Sequence, residues 1–189
     1  MRNFSCVEPQ TSRRPTGGPP RGARRTALLL AVPALLALPG PAGAGPGDDE
    51  RLTDADFGWE LRTLDGRTTT LERFRGRVLF INLWATWCPP CVAELRSIQA
   101  LADSLADEPD IAFLLVSPET AGPVRRFVRR RAVAAPVYLE GTRAPARLGA
   151  IALPTTVIVS RDGRIVLRRR GAADWDDASA RELLRDLAR

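Results

Sequence analysis

Residues 77–91 read RVLFINLWATWCPPC, and the rest of the architecture can be worked out from this segment. Its first eight residues form a nearly continuous apolar run, which predicts a strand buried on both faces of a sheet. A helix is predicted directly afterwards, over residues 89–105, because its apolar side chains have helical spacing and its prolines are confined to the first turn. Cys88 and Cys91 therefore lie where a buried strand passes into a helix.

The rest of the chain continues an alternation of strands and helices. An Asp-Gly pair connects the first two predicted strands and another the last two, which is typical of tight hairpins. The further strands are predicted over residues 59–63, 68–71, 111–117, 155–160 and 165–169, and the further helices over 123–131 and 179–188. We expect an α/β fold in which a central mixed β-sheet is flanked by helices and carries an N-terminal β-hairpin extension. The domain is predicted over 57–189, after a Gly- and Pro-rich linker over 45–56.

The charge of the chain is concentrated at its N-terminus. The 28 basic residues are all arginine and face 22 acidic residues, which gives a formal net charge of +6. Residues 1–44 contain six of the arginines and one acidic residue, Glu8, so the remainder has 22 arginines against 21 acidic residues. Because that remainder is nearly neutral, we predict no nucleic-acid partner.

Residues 1–44 have the three features of an export signal. An arginine-rich segment precedes a run of apolar residues over 27–38, and the small-x-small sequence Ala42-Gly43-Ala44 follows. We expect export to the periplasm or another extracytoplasmic space, with the leader either removed or retained as an N-terminal anchor. A disordered N-terminus with an apolar patch is the alternative.

Cys88-Pro89-Pro90-Cys91 is the predicted reactive site. A cysteine at a helix start faces unpaired backbone N–H groups and the positive end of the helix dipole, which stabilise a thiolate. We expect Cys88 to be the exposed attacking thiol, and Cys91, one turn inside the helix, to be buried and to resolve the mixed disulfide. Because Pro89 and Pro90 donate no N–H, fewer amides reach the thiolate, which favours a milder lowering of its pKa and a more reducing couple.

Two other uses of the cysteine pair are possible in principle. Half of a zinc site would need two more Cys or His ligands, but the chain has no histidine and its third cysteine, Cys6, lies in the leader. A structural disulfide that closes so short a loop adds little stability through loop entropy. The absence of histidine also excludes Ser-His-Asp and Cys-His catalysis. We therefore expect no metal, and no cofactor other than a redox-active Cys88–Cys91 disulfide.

Residues 84–91, WATWCPPC, resemble the active site of the thioredoxin fold, and more narrowly that of the TlpA/ResA/CcmG-like thiol-disulfide oxidoreductases. The C-x-x-C-x-x-E spacing to Glu94 supports the narrower match. So does Asn82, where thioredoxin itself has a buried aspartate. Residues 153–156, LPTT, resemble the family's cis-proline loop. The resemblance covers about residues 52–189 and implies a thioredoxin fold.

Four residues outside the cysteine pair receive roles. By resemblance, Pro154 is cis, the backbone of Leu153 pairs with the substrate chain, and Trp87 flanks the disulfide on the docking surface. Glu94 lies three residues after Cys91 on one helix face, and in a chain without histidine it is the nearest ionisable group that can accept the Cys91 proton. Partial burial would raise its pKa towards a useful range. The alternative is a surface glutamate that stabilises the first helical turn.

The sequence therefore predicts an exported thiol-disulfide oxidoreductase that reduces protein disulfides. A disulfide-forming oxidant is the first alternative, because the sequence does not settle the direction of electron flow. A thiol peroxidase of the peroxiredoxin class is the second, although Cys88 is paired within C-x-x-C instead of standing in a Thr-x-x-Cys loop. A copper-delivering binding module is the third, although the chain lacks histidine and its only methionine is Met1.

The resemblance also implies partners. It suggests apocytochrome c cysteines before haem attachment, or copper-site cysteines of an oxidase subunit, as substrates. The implied electron donor is a membrane thiol protein of the DsbD/CcdA type, because a reductant needs a dedicated donor in a compartment that is kept oxidising. A C-x-x-C site that acts on proteins favours a monomer.

Overall fold

The computed structural model describes residues 50–149 and 152–189, which form one seven-stranded sheet with helices packed on it. The predicted leader, 1–44, and residues 45–49 of the predicted linker lie outside the described residues. The helices are α1 (Asp54–Phe57), α2 (Pro89–Ser104), α3 (Ala121–Arg131) and α4 (Ala178–Ala188). The strands are β1 (Glu60–Thr63), β2 (Thr68–Thr70), β3 (Val78–Leu83), β4 (Ile111–Ser117), β5 (Val137–Glu140), β6 (Thr155–Val159) and β7 (Ile165–Arg170). No helix in these ranges is long and apolar enough to cross a bilayer.

The sheet has the strand order β2-β1-β5-β4-β3-β6-β7. β3 and β4 are parallel and joined by α2, β4 and β5 are parallel and joined by α3, and the other pairs are antiparallel. The predicted central parallel pair, its helical crossover and both hairpins are confirmed. So is the predicted thioredoxin fold, a mixed sheet flanked by helices with an N-terminal hairpin.

The sheet separates two apolar cores. The three long helices cover one face, where their buried side chains include Ile98, Leu101, Val124, Phe127 and Leu184. We call this the helix face. The opposite face is covered by the N-terminal segment and by two 3-10 turns (Leu71–Phe74 and Ala146–Leu148), with buried side chains that include Leu52, Phe57, Leu71, Phe74 and Leu148. We call this the outer face. Both faces are buried, which explains why β3 and β4 are continuous apolar runs instead of alternating ones.

Strand β5 has no counterpart among the predicted strands. It has only four residues between Pro136 and Gly141, and it lacks the Asp-Gly hairpin turn that reveals the similarly short β1 and β2. It pairs with β4 on one side and β1 on the other, and so connects the N-terminal hairpin to the central strands.

The predicted linker ends earlier than expected, because residues 50–56 pack on the domain. The Leu52 N–H donates to the Gly163 carbonyl oxygen at 2.9 Å, and the Ile165 N–H donates to the Glu50 carbonyl oxygen at 2.6 Å. Thr53 caps α1, and Leu52 is buried on the outer face. The linker prediction is therefore wrong for residues 50–56. Their polar composition concealed the apolar side chain that anchors them.

Candidate active site

The two cysteines are bonded to each other at the junction of β3 and α2. Their sulfurs are 2.08 Å apart and their Cα atoms 5.3 Å apart. Cys88 is the N-cap residue of α2 and has an extended backbone, while Pro89 occupies the first helical position. Proline is tolerated there because an N–H at that position has no partner within the helix. The structure thus brings Cys88 and Cys91 together at the predicted strand-to-helix junction.

One backbone amide of the first helical turn reaches the Cys88 sulfur. The Cys91 N–H donates to Cys88 Sγ, with a nitrogen–sulfur distance of 3.3 Å. An N-cap side chain ordinarily accepts from the N–H of the second or third helical residue. Here Pro90 occupies the second position, so only the third can donate. The expectation that prolines reduce the number of amides available to this sulfur is met, and its consequence for the redox potential stays a prediction.

The exposure of the site differs from the sequence expectation. Cys88 is only 5% exposed and Cys91 is fully buried, whereas the neighbouring Trp87 is 66% exposed. The prediction that Cys88 is exposed is therefore wrong for the disulfide-bonded form. The bond to the buried Cys91 holds Cys88 within the apolar core of the helix face. The large apolar group exposed beside the disulfide is the indole of Trp87.

Glu94 is buried in the helix face one turn beyond Cys91. Its side chain accepts three hydrogen bonds: from Asn82 Nδ2 to Oε1 at 2.7 Å, and from the Ala173 N–H and Trp175 Nε1 to Oε2 at 3.1 and 3.4 Å. Burial raises the pKa of Glu94 above its ordinary value, while these hydrogen bonds and the charge of Arg169 oppose the rise. The interpretation of Glu94 as a surface residue is therefore wrong.

Asn82 connects this carboxyl group to the sheet. Its Nδ2 also donates to Thr156 Oγ1 at 2.9 Å, across the antiparallel pair in which Asn82 and Thr156 lie opposite each other. Asn82 is fully buried, and its Oδ1 has no hydrogen-bond partner among the described residues. The amide therefore has an acceptor group left over next to the Glu94 carboxyl.

A surface groove of about 620 Å³ reaches the Glu94 side chain from outside the domain. It runs between α2 and the segment that precedes α4, and its charged rim includes Arg96, Arg169, Asp174 and Asp176. Glu94 is 3% exposed, so it is buried but lies directly behind this opening. Glu94 is therefore the buried member of the set of residues that line this groove.

The loop before β6 contains the predicted cis-proline. The Leu153–Pro154 peptide bond is cis, as the sequence predicts. Leu153 and Trp87 line the same small groove of about 260 Å³. We call it the docking groove. Its other lining residues are Leu83, Pro118, Glu140, Arg143, Ala144 and Ala152. Burial raises the pKa of Glu140, opposed by a hydrogen bond from the backbone of Ala144 and by the charge of Arg143.

Two features of the site have no signal in the local sequence. The hydrogen bonds from Ala173 and Trp175 to Glu94 join residues 79 and 81 positions apart, so the local sequence gives no sign that these residues are partners. Glu140 comes to the docking groove through β5, the strand that was not predicted. Only the folded chain brings these groups to the redox centre.

Comparison with known proteins identifies the family. Residues 48–184 match the Redoxin family. The chain belongs to that family. ResA, a thiol-disulfide oxidoreductase of Bacillus cereus, is 28% identical over 156 residues, which cover 78% of this chain and 90% of that protein. The crystal structure of a candidate thiol-disulfide oxidoreductase from Bacteroides vulgatus has a TM-score of 0.60 and 27% identity, and the match covers 68% of this chain and 91% of that one.

The fold of this Redoxin family member is also that of StoA from Bacillus subtilis. That match has a TM-score of 0.53 and 19% identity, and covers 69% of this chain and 96% of StoA. The predicted resemblance to TlpA/ResA/CcmG-like proteins is confirmed, and the chain is a thiol-disulfide oxidoreductase of the thioredoxin superfamily. The expectations of no metal, no cofactor beyond the disulfide and a monomeric state stay predictions.

Proposed function

We propose that this Redoxin family member is an exported reductase of protein disulfides. The observation that carries the proposal is the Cys88–Cys91 disulfide at the N-terminus of α2, with the buried Glu94 one turn behind it. In the reduced enzyme, the Cys88 thiolate attacks a substrate disulfide, bonds to one of its sulfurs and releases the other as a thiolate. The Cys91 thiolate then attacks Cys88 Sγ and releases the second substrate sulfur. Two electrons pass to the substrate, and the enzyme disulfide forms again.

Glu94 accepts the proton that Cys91 must lose before it can attack. A carboxyl group with a raised pKa is a better base at neutral pH than an exposed one, and burial raises the pKa of Glu94. The proton leaves through the groove lined by Arg96 and Arg169. Rotation of the Asn82 amide would turn its spare Oδ1 towards a protonated Glu94, so the same side chain can hydrogen-bond the carboxyl group in both protonation states.

The substrate docks beside the disulfide. An exposed tryptophan is a typical anchor at protein interfaces, and Trp87 is 66% exposed next to Cys88. The docking groove joins Trp87 to Leu153, whose backbone precedes the cis-proline and pairs with the substrate chain. The wall formed by Glu140 and Arg143 supplies polar groups for an extended peptide.

The cellular role follows from the leader and from the resemblance. The apolar run over 27–38 and the Ala-x-Ala sequence after it support export to an extracytoplasmic space, with cleavage or anchoring of the leader. The substrates are apocytochrome c cysteines or copper-site cysteines. A membrane thiol protein of the DsbD/CcdA type returns the electrons. Pro90, which withholds an amide from Cys88, favours reduction over disulfide formation.

The decisive measurement is the reduction potential of the Cys88–Cys91 couple, equilibrated against glutathione or dithiothreitol. Thioredoxin lies near about −270 mV and the oxidant DsbA near about −120 mV. We expect a value at or below about −220 mV, whereas a value close to that of DsbA would assign the protein to disulfide formation. Cys91→Ala should accumulate a mixed disulfide with the substrate, and the matched variant Cys88→Ala should accumulate none.

A further inference from the structure

The segment that precedes the disulfide is held by a carboxylate that the proposed reaction does not use. The Thr86 backbone N–H donates to Glu119 Oε2 at 2.6 Å, and the Thr86 hydroxyl donates to Glu119 Oε1 at 2.8 Å. Both oxygens of one carboxylate therefore bind a single residue, two positions before Cys88. A two-point contact to a charged acceptor fixes orientation as well as distance, and it is stronger than a contact between neutral groups.

Glu119 is itself anchored to the sheet. The Ser117 hydroxyl donates to Glu119 Oε2, and the Glu119 N–H donates to Ser117 Oγ, both at 3.3 Å. Ser117 is fully buried at the end of β4. β4 is the parallel neighbour of β3, and the Trp84 N–H donates to the Val116 carbonyl oxygen just beyond the end of β3. The contact thus links the buried end of one central strand to the loop that leaves the other.

We propose that Glu119 is a positioning residue for Cys88. Its two hydrogen bonds to Thr86 fix the turn through Trp87. The Cys88 sulfur therefore stays at the N-cap of α2, where the Cys91 N–H donates to it. Loosening this turn lets Cys88 leave the cap and removes the hydrogen bond that favours its thiolate. The inference rests on the proposed function in one respect, since it takes Cys88 as the attacking thiol.

The test uses variants that remove one donor or one acceptor at a time. Thr86→Val deletes the hydroxyl donor and keeps the charge of Glu119, while Thr86→Ser keeps both and serves as the matched control. Glu119→Gln leaves one acceptor oxygen for the two donors of Thr86 and the hydroxyl of Ser117. Glu182→Gln removes the same charge from an exposed position on α4. Each reduced protein is alkylated with iodoacetamide over a range of pH, and its second-order rate with a protein disulfide is measured.

We expect Thr86→Val to shift the alkylation profile of Cys88 to higher pH, and Thr86→Val and Glu119→Gln each to slow the reaction with the disulfide about fivefold to tenfold. The double variant should be no slower than the slower single variant, because both substitutions break the same contact. Thr86→Ser and Glu182→Gln should behave like the unaltered protein.

The proposal is overturned if Thr86→Val and Glu119→Gln lower only the stability, or if their effects on the rate add independently. An unaltered protein that fails to reduce any protein disulfide would contradict the proposed function instead. The alkylation profiles would still report on the Glu119 contact in that case.

Discussion

The two faces of the sheet are built from the same strands but carry different kinds of side chain. On the helix face, Asn82 of β3 and Thr156 of β6 form a buried polar network with Glu94. On the outer face, every side chain that β3 and β4 contribute is apolar: Leu79, Ile81, Leu83, Ala112, Leu114 and Val116. The alternation of side chains along a strand lets β3 supply both faces.

The difference shows how the chain separates chemistry from stability. Burying a carboxyl group costs free energy unless its hydrogen bonds are satisfied, and Glu94 has three donors around it. This buried carboxyl group lies on the helix face, next to the cysteines. The outer face contributes stability through apolar packing, and among the side chains that β3 and β4 place there only Leu83 also lines the docking groove. Substitutions on the two faces should therefore change different measured quantities.

The largest effect on stability is expected on the outer face. Leu71 is fully buried in the 3-10 turn Leu71–Phe74. Leu71→Ala should lower the free energy of unfolding by about 3 kcal/mol, because it removes buried apolar contacts and leaves a cavity. Urea unfolding measures the loss. The reduction potential should stay within about 10 mV of the unaltered value; a shift above about 30 mV would show that the two faces are not independent.

The largest effect on chemistry is expected at Glu94. Glu94→Gln preserves the shape of the side chain but removes the carboxylate that we propose as the acceptor of the Cys91 proton. We expect resolution of the mixed disulfide to slow about 100-fold, the lower end of what a general base contributes. Stopped-flow tryptophan fluorescence follows this step. An unchanged rate and pH profile would assign Glu94 a packing role and remove the contrast between the faces.

A smaller effect is expected at Trp175. Its indole packs edge-on against Phe80 with ring centroids 5.1 Å apart, and its Nε1 donates to Glu94. Trp175→Phe keeps an aromatic ring but removes the donor, at a cost of about 1 kcal/mol in the free energy of unfolding. With one donor fewer, the pKa of Glu94 should rise further. The inflection in the pH profile for resolution of the mixed disulfide should therefore move to higher pH. An inflection that moved to lower pH would contradict this account.

The smallest effect is expected in the pH dependence of stability. The pKa of Glu94 is raised in the folded state, so between its unfolded and folded pKa values the native protein binds more protons than the unfolded chain. Stability from this group is therefore complete at low pH and declines as pH rises through the folded pKa. Glu94→Gln has no ionisable group at this position. As pH rises, the unfolding free energy of the unaltered protein should therefore fall relative to that of the variant. A change in the opposite sense would show that the hydrogen bonds outweigh burial.

Much of the fold follows from local patterns. The apolar runs of β3 and β4, the Asp-Gly hairpins and the helical spacing in α2 predict these elements to within a few residues. Their signals are periodic and therefore visible in one dimension. β5 escapes prediction because it is short and, unlike the similarly short β1 and β2, is not marked by an Asp-Gly hairpin turn. The packing of residues 50–56 escapes it because Leu52 finds its hydrogen-bond partner at Gly163, far along the chain.

The candidate site also combines features that local sequence predicts with features that depend on residues distant in the chain. Cys88, Cys91 and the spacing to Glu94 are local, so the sequence alone determines the type of chemistry and the order of the two thiols along the helix. The tertiary structure decides how Glu94 is solvated, which donors surround it and which residue holds Thr86. The partners come from strand ends and turns that meet only in the folded sheet. Burial, hydrogen bonding and charge act through space. The donors to Glu94 lie 12, 79 and 81 positions away in the chain, and the residue that Glu119 holds lies 33 positions away.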